Sequence, residues 1–434
     1  MPSAGHRLAG NTSDTIRDFA AAPLVTTMNA THTQPSATST TSAPRLIITP
    51  GLRVTRFPGG GLATTMKFIE GVREYARTWP GPITALMQPI DHESDNLDEV
   101  KLDGLALGFD VGVVDYRSGD LERELRGAAV CLAAASHGQE HIADVCRRAG
   151  VACVITTENT LSTRLQMARA SDLSTIRRWR HNLWQYNLER RLRRAIRLAD
   201  AIQCNGTPTF DAYRALNERA LLYFDTRVRD SMLASESNIE SRGTSGPLRL
   251  VFSGRLVSIK GVDHLPEVAA ELSRLGVDYT MTICGDGALA PSIRGRVAAL
   301  GLGDRVRLTG VLDFTTELVP FVREKCDLFV CCHRQGDPSC TYLETMSCGV
   351  PLAGYDNEAH AGLVRESGCG WAVPMNRPRE LATLIAGLAK NRQQVTQHAR
   401  RALAFAREHT FDRTFARRVE QLLAVVRARA SHTL

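Results

Sequence analysis

Lysine is scarce in this chain: its 53 basic residues comprise 48 arginines and only 5 lysines, set against 46 acids for a net charge of +7. With arginine so abundant, a single arginine says little, whereas each lysine stands out. Paired cysteine spacing is missing as well. The 11 cysteines are an odd number and lie mostly inside apolar runs such as VCLAA, ACVIT and TICGDG, which argues against a disulfide framework and suits reduced, buried thiols. No basic segment followed by a continuous apolar core opens the sequence, so a signal peptide is not expected. Nor is there an apolar run of about eighteen residues that would form a transmembrane helix. A cytoplasmic protein is the expectation. Nucleic-acid binding calls for basic residues clustered with aromatics on one element. Only 177–197 (RRWRHNLWQYNLERRLRRAIR) comes close, and nucleic acid is not an expected partner.

What is present is an ordinary globular composition, 43% apolar and 23% charged, over 434 residues, enough for two cores. Residues 1–44 are rich in Ser, Thr, Ala and Pro and read as a disordered tail. From Arg45 short apolar runs alternate with helical patterns. RLIITPG, ITALMQP, AAVCLAAASH, ACVITTEN and AIQCNG read as strands, LATTMKFIEGVREYA (62–76) and EHIADVCRRAG (140–150) as helices. A polar stretch at 234–247 reads as a linker. Strands then resume with LRLVFSG, TMTICGDG, VRLTG, LFVCCH, PLAGY and WAVP, and 379–407 and 411–430 read as terminal helices. This alternation predicts an α/β protein of two domains, each with a doubly wound, Rossmann-like parallel sheet. The expected domains are 45–233 and 248–407. A final helix, 408–434, is placed to cross back to the first.

In such sheets ligands sit at the carboxyl ends of strands, where loops run into helices. Four junctions carry chemistry. In PGGGLATTMKF, Gly59, Gly60 and Gly61 are read as entering a helix, where glycines let backbone N–H groups approach an anion; the alternative is a flexible turn. In FSGRLVSIKGVDHL, Arg255 and Lys260 follow a buried strand with Gly254 and Gly261 beside them. Two cations there suit a departing diphosphate, and a solvated charged loop is the bland alternative. In TICGDGALAPSI, Gly285 and Gly287 partly match a dinucleotide fingerprint, but the next strand, VRLTG, lacks the acid that would hold a ribose. Nicotinamide binding is therefore rejected. The fourth junction is CCHRQGDPSCTYLETMSCGVPLAGYDNEAH (331–360). It has no C-x₂-C pair for zinc and no base beside Cys340 or Cys348, so its cysteines read as packing. Thr341 and Glu344 fit a capping box; the other reading of Glu344 is a carboxylate for ribose hydroxyls.

Taken in order, GRLVSIKG, CGDG and YLETMSCGVPLAGYDNEA resemble the donor-binding signatures of family 4 glycosyltransferases, also called glycosyl transferases group 1, enzymes of the GT-B architecture, which implies two Rossmann-like domains facing each other across a cleft, 45–233 on the acceptor side and 248–407 on the donor side. The resemblance is strong over 248–375 and weak but consistent over 45–233. It implies a retaining, metal-independent transferase of hexosyl type, with a nucleotide-sugar donor, no cofactor, and a glycan, lipid-linked or small-molecule acceptor, as in polysaccharide biosynthesis. Carried over by position, Arg255 and Lys260 hold the diphosphate and Glu344 the ribose. The helix start at Ser339, Cys340 and Thr341 favours the phosphates. Gly60 and Gly61 match the family's glycine loop, and Gly254, Gly285 and Gly287 line the donor. His137 matches a histidine beside the transferred sugar, with His141 a weaker candidate; Glu158 stands where many relatives carry histidine.

One departure is clear. The family's first acid precedes the second by eight positions, and that position is Gly336 here. Asp337 is adjacent and either reaches the sugar or serves as a turn residue before Pro338. Two other functions stay open on these residues: a sugar-nucleotide epimerase or hydrolase of the same fold, and a non-catalytic nucleotide- or glycan-binding relative. The segment 177–197 is either a contact for an anionic membrane at the inner face or an amphipathic helix packed on the sheet.

Overall fold

The computed structural model describes residues 43–432 apart from 58–59, 91–98, 170–173 and 243–244. Nearly all of the tail expected over 1–44, together with Gly59, lies outside the described residues.

Two parallel sheets organise the chain. In the first, seven strands run in the order 220–223, 201–205, 152–157, 130–134, 46–49, 83–87, 110–113. In the second, six run in the order 306–310, 279–284, 248–253, 328–331, 352–355, 371–373. Most of these strands are buried on both faces, which is why they read as continuous apolar runs rather than alternating ones. Each sheet starts in its middle and winds outward first to one side, then to the other. The first therefore reverses between Leu46–Thr49 and Val130–Ala134, which pair directly, and the second between Leu248–Ser253 and Leu328–Cys331. Loops leave a crevice at such reversals, and the chemically pointed loops after Thr49, Ala134, Ser253 and Cys331 all emerge there.

Six helices matter for the site: α1 (Met66–Thr78), α2 (Leu161–Arg169), α3 (Thr175–Leu198), α4 (Cys340–Ser347), α5 (Glu358–Ser367) and α6 (Phe411–His432). The last returns to the first sheet. Phe411, Phe415, Val419, Leu422 and Val425 join the core formed by Leu46, Val130 and Val154. Hydrogen bonds reinforce this return, with Gln203 Nε2 donating to the Arg418 carbonyl and Arg429 to that of Val151.

Three local expectations are corrected. Residues 62–65 form a strand, antiparallel to Val54–Arg56 and to Glu99–Lys101, before the helix begins. Thr64 and Thr65 are β-branched and suit an extended backbone, and the Thr65 side chain accepts from the Phe68 N–H to cap α1. The stretch 234–247 is less of a linker than its composition suggests. Ser235 and Asn238 form a capping box on the short helix Glu236–Glu240, and Ile239 is buried with Ala399 and Leu403. The helical region 379–407 is two helices, Pro378–Lys390 and Arg392–Glu408, parted at Asn391.

Candidate functional site

The loop after Leu248–Ser253 folds back so that Gly261, at φ +62°, has its α-carbon pressed against the Cys332 carbonyl, where a Cβ would collide. This contact ties the loop to the segment after Leu328–Cys331 and brings Lys260 to it. Lys260 is buried, and its ammonium donates to Asp337 Oδ2 at 3.3 Å and to Ser339 Oγ at 3.4 Å. The other carboxylate oxygen, Oδ1 of Asp337, is buried without a partner. Arg255 is exposed and makes no side-chain hydrogen bond or ion pair among the described residues. Gly285 and Gly287 have a packing reason to be glycine, whereas Gly254 has a backbone one, φ +148°. The two loops lie so close that a Cβ on Gly285 would collide with the Gly254 carbonyl, and one on Gly287 would lie 2.7 Å from that of Leu256.

Helix α4 starts differently from the expected capping box. Ser339 is its N-cap, Thr341 lies inside its first turn, and Glu344 is in its body. Glu344 is buried and accepts from Arg227 Nε at 2.9 Å, while the Arg227 guanidinium lies 3.9 Å over the Phe314 ring. The Ser339 hydroxyl makes no capping bond, so the first N–H groups of α4 keep their partial positive charge uncapped by a side chain.

Cys340, the first residue of α4, meets two residues of the first sheet's half. Its thiol donates to Asp225 Oδ2 at 3.2 Å, and Lys67 Nζ lies 2.7 Å from the same oxygen and 3.5 Å from Cys340 Sγ. Burial opposes the charge on Lys67, but Asp225 and Cys340 outweigh it and raise its pKa above the ordinary lysine value. Burial, followed by the Asp225 charge, pushes the Cys340 thiol well up. It stays protonated, which removes it as a nucleophile.

Beyond this trio a cavity of about 680 Å³ opens at the reversal point of the first sheet. His137 lines it, half exposed, with its ring edge-on to Trp184 at 5.0 Å and Nδ1 3.9 Å from Glu140 Oε1. His141 is turned to a structural task, its Nε2 2.7 Å from the Tyr116 carbonyl. Gly60 and Gly61 lie in the hairpin turn between Val54–Arg56 and Leu62–Thr65. The helix starts only at Met66, so glycines at a helix N-terminus do not describe this loop. Gly336 is buried; its N–H donates to Gln166 Oε1 at 2.8 Å, and a Cβ on it would lie 2.9 Å from both Cβ and Oε2 of Glu358. Among the described residues no three His, Cys, Asp or Glu side chains gather to hold a metal ion.

Residues 235–407 match the family model described as glycosyl transferases group 1. The matched segment, about two fifths of the chain, is similar to a glycosyl transferases group 1 domain. It contains Arg255, Lys260 and Glu344. Curated relatives agree. The chain is 31% identical over 164 residues to an alpha-D-kanosaminyltransferase of Streptomyces kanamyceticus, covering 38% of this chain and 41% of that protein. It is 32% identical over 110 residues to a 2-deoxystreptamine glucosyltransferase of the same organism, covering 25% and 28%. The matches thus span well under half the length of these relatives. Whole-chain likeness is to folds. HepE from Anabaena, solved with UDP, superposes with TM-score 0.61 at 17% identity over 88% of this chain and 99% of that one. Sucrose-phosphate synthase from Thermosynechococcus elongatus gives 0.59 at 13% identity over 88% and 99%. The architecture is GT-B.

Four residues that the GT-B fold brings to the site are not marked by any sequence motif: Lys67, Asp225, Arg227 and Arg418. The scarcity of lysine was a usable signal for Lys67. Asp225, Arg227 and Arg418 lie in segments without a motif. Trp184 was read only as part of a basic aromatic helix, although it also lines the cavity.

Proposed function

We propose that the protein is a retaining hexosyltransferase that moves a sugar from a nucleoside diphosphate to an acceptor hydroxyl held in the 680 Å³ cavity. The observation that carries this reading is the buried Lys260 ammonium beside the uncapped start of α4, with Glu344 one helical turn further on. A donor diphosphate seated there would meet the α4 N–H groups, Lys260 and the unpaired Arg255, and these cations would offset its charge without a metal. Glu344 would take ribose hydroxyls in place of Arg227. That HepE has been solved with UDP-glucose supports a nucleotide-sugar donor.

In a front-face displacement the bond from the anomeric carbon to the diphosphate oxygen breaks as the acceptor oxygen bonds the same carbon. The acceptor proton passes to the departing phosphate. His137 would position the transferred sugar from the cavity side. The test is the anomeric configuration of the product, read by NMR from an α-configured donor. An α product is expected, and a β product would overturn the retaining assignment.

Helix α3 adds a partner. Ile176, Trp179, Leu183 and Tyr186 are exposed and share one face at helical spacing, flanked by exposed Arg177 and Arg180. This face supports peripheral contact with an anionic membrane at the cytoplasmic side. No described helix is long and apolar enough to cross one. Flotation with anionic vesicles is expected to carry the protein upward at low salt. Failure to float removes this partner.

A further inference from the structure

The charges lining the large cavity are mostly accounted for. Lys67 is held by Asp225 at 2.7 Å. Arg164 is held by Glu189 at 2.6 Å and also donates to Gln185. Arg418 is buried, donates to Gln203 Oε1 at 2.8 Å, and is stacked on Tyr223 at 4.2 Å with Tyr75 and Phe415 beside it. Glu158 is the exception. It follows Ala152–Thr157 at the carboxyl edge of the sheet, lines the cavity, and makes no hydrogen bond or ion pair among the described residues. Its side chain is exposed where it lines the cavity. Burial first, and the Asp225 charge second, push its carboxyl up, while Lys67 and Arg418 pull it back.

An exposed carboxylate that lines a crevice without a hydrogen-bonding partner is free to take a ligand that brings a cation and N–H donors. The rest of the cavity suits a polar ring. Trp184, exposed and lining the cavity, supplies an aromatic surface for the apolar side of a saccharide or cyclitol, with the His137 ring 5.0 Å from it at a steep angle. The volume of about 680 Å³ falls in the range of small-molecule sites, about 300–1,000 Å³.

We infer that the acceptor is a small amine-bearing polyol, an amino sugar or aminocyclitol, whose ammonium pairs with Glu158 while a hydroxyl is presented toward the Lys67–Asp225–Cys340 side of the cavity. This rests on the transferase reading above and names its acceptor class. The ammonium cannot use Asp225, which Lys67 and Cys340 already occupy. Arg418 acts on Glu158 only through space, its guanidinium held among the rings of Tyr223, Tyr75 and Phe415.

The full-length protein, saturated with whichever of UDP, GDP or ADP stabilises it in a thermal-shift assay, is titrated with streptamine and with scyllo-inositol, which differ only in amine for hydroxyl at two positions. Glucosamine and glucose form a second pair. The amine of each pair is expected to bind at least about tenfold more tightly, as a charge-assisted contact in a crevice does. Glu158→Gln is expected to erase that ratio while leaving the nucleotide-induced shift unchanged. Equal binding of amine and hydroxyl probes, a ratio that survives Glu158→Gln, or no binding of either amine to the nucleotide-loaded protein would overturn the inference. Absence of any nucleotide shift would instead sink the transferase reading, so the two failures are distinguishable.

Discussion

Replacing Lys260 with methionine keeps the aliphatic stem and removes the ammonium. In the structure that ammonium serves Asp337 at 3.3 Å and Ser339 at 3.4 Å, with about a tenth of the lysine side chain and a quarter of the aspartate side chain exposed. Since Asp337 Oδ1 has no partner already, the variant leaves the carboxylate with no side-chain donor. An unsatisfied buried group costs about 1–3 kcal/mol, and partial solvent access to Asp337 places the loss near the lower end, about 1–2 kcal/mol. The effect on turnover should be larger. A fixed cation facing a leaving diphosphate acts where charge develops, and removing one such group costs about 10²–10³ in rate, or about 3–4 kcal/mol. The double variant Lys260→Met/Asp337→Asn separates the two effects. It removes both charges and should recover most of the stability in urea, yet none of the turnover followed by nucleotide release. Turnover by Lys260→Met within about threefold of the parent protein would refute the assignment of this lysine to the leaving group.

Two further outcomes follow from individual contacts. His409 lies tilted against Phe405 with ring centroids 4.3 Å apart, accepts at Nδ1 from Arg417 at 2.8 Å, and is held down to about 4, first by burial and then by the Arg417 charge. Because its folded pKa lies below the unfolded value, its contribution is present above about pH 6.5. About 3 kcal/mol is then lost as pH falls from there toward 4. Urea midpoints should drop over that window in the parent and stay flatter in His409→Gln; parallel profiles would count against it. Gly336→Glu, which reinstates the family's first acid, forces a side chain into space filled by Glu358. It is expected to cost about 1–3 kcal/mol, and Glu358→Ala in the same chain should recover part of it, because the alanine Cβ stays 2.9 Å from the new Cβ. Equal stability of Gly336→Glu and the parent in urea would show that the loop shifts freely.

The sheets were legible because parallel strands buried on both faces leave uninterrupted apolar runs, and their reversal points follow from the winding of the chain. Short elements were harder to read. Residues 62–65 carry a helix-compatible pattern, and only pairing with Val54–Arg56 and Glu99–Lys101 makes them a strand. The capping-box pattern at Thr341 and Glu344 was a false signal, because the helix had already begun after Ser339. No local rule could have supplied the true partner of Glu344, since Arg227 is 117 residues away. The same distance problem hid the Lys67–Asp225–Cys340 contact, which joins three segments that carry no shared motif.

The departure at Gly336 shows how position and space can diverge. Counting along the chain finds an acid missing eight residues before Glu344. The folded chain has a carboxylate there all the same, because Glu358, anchored at 2.6 Å by the Ser162 hydroxyl, fills the volume that a side chain at 336 would take. The glycine is thus a consequence of the neighbour, with Gln166 securing its N–H. A motif records the order in which residues are joined. The pocket depends on which side chains reach the same place, and here that place is filled from a helix 22 positions further along the chain.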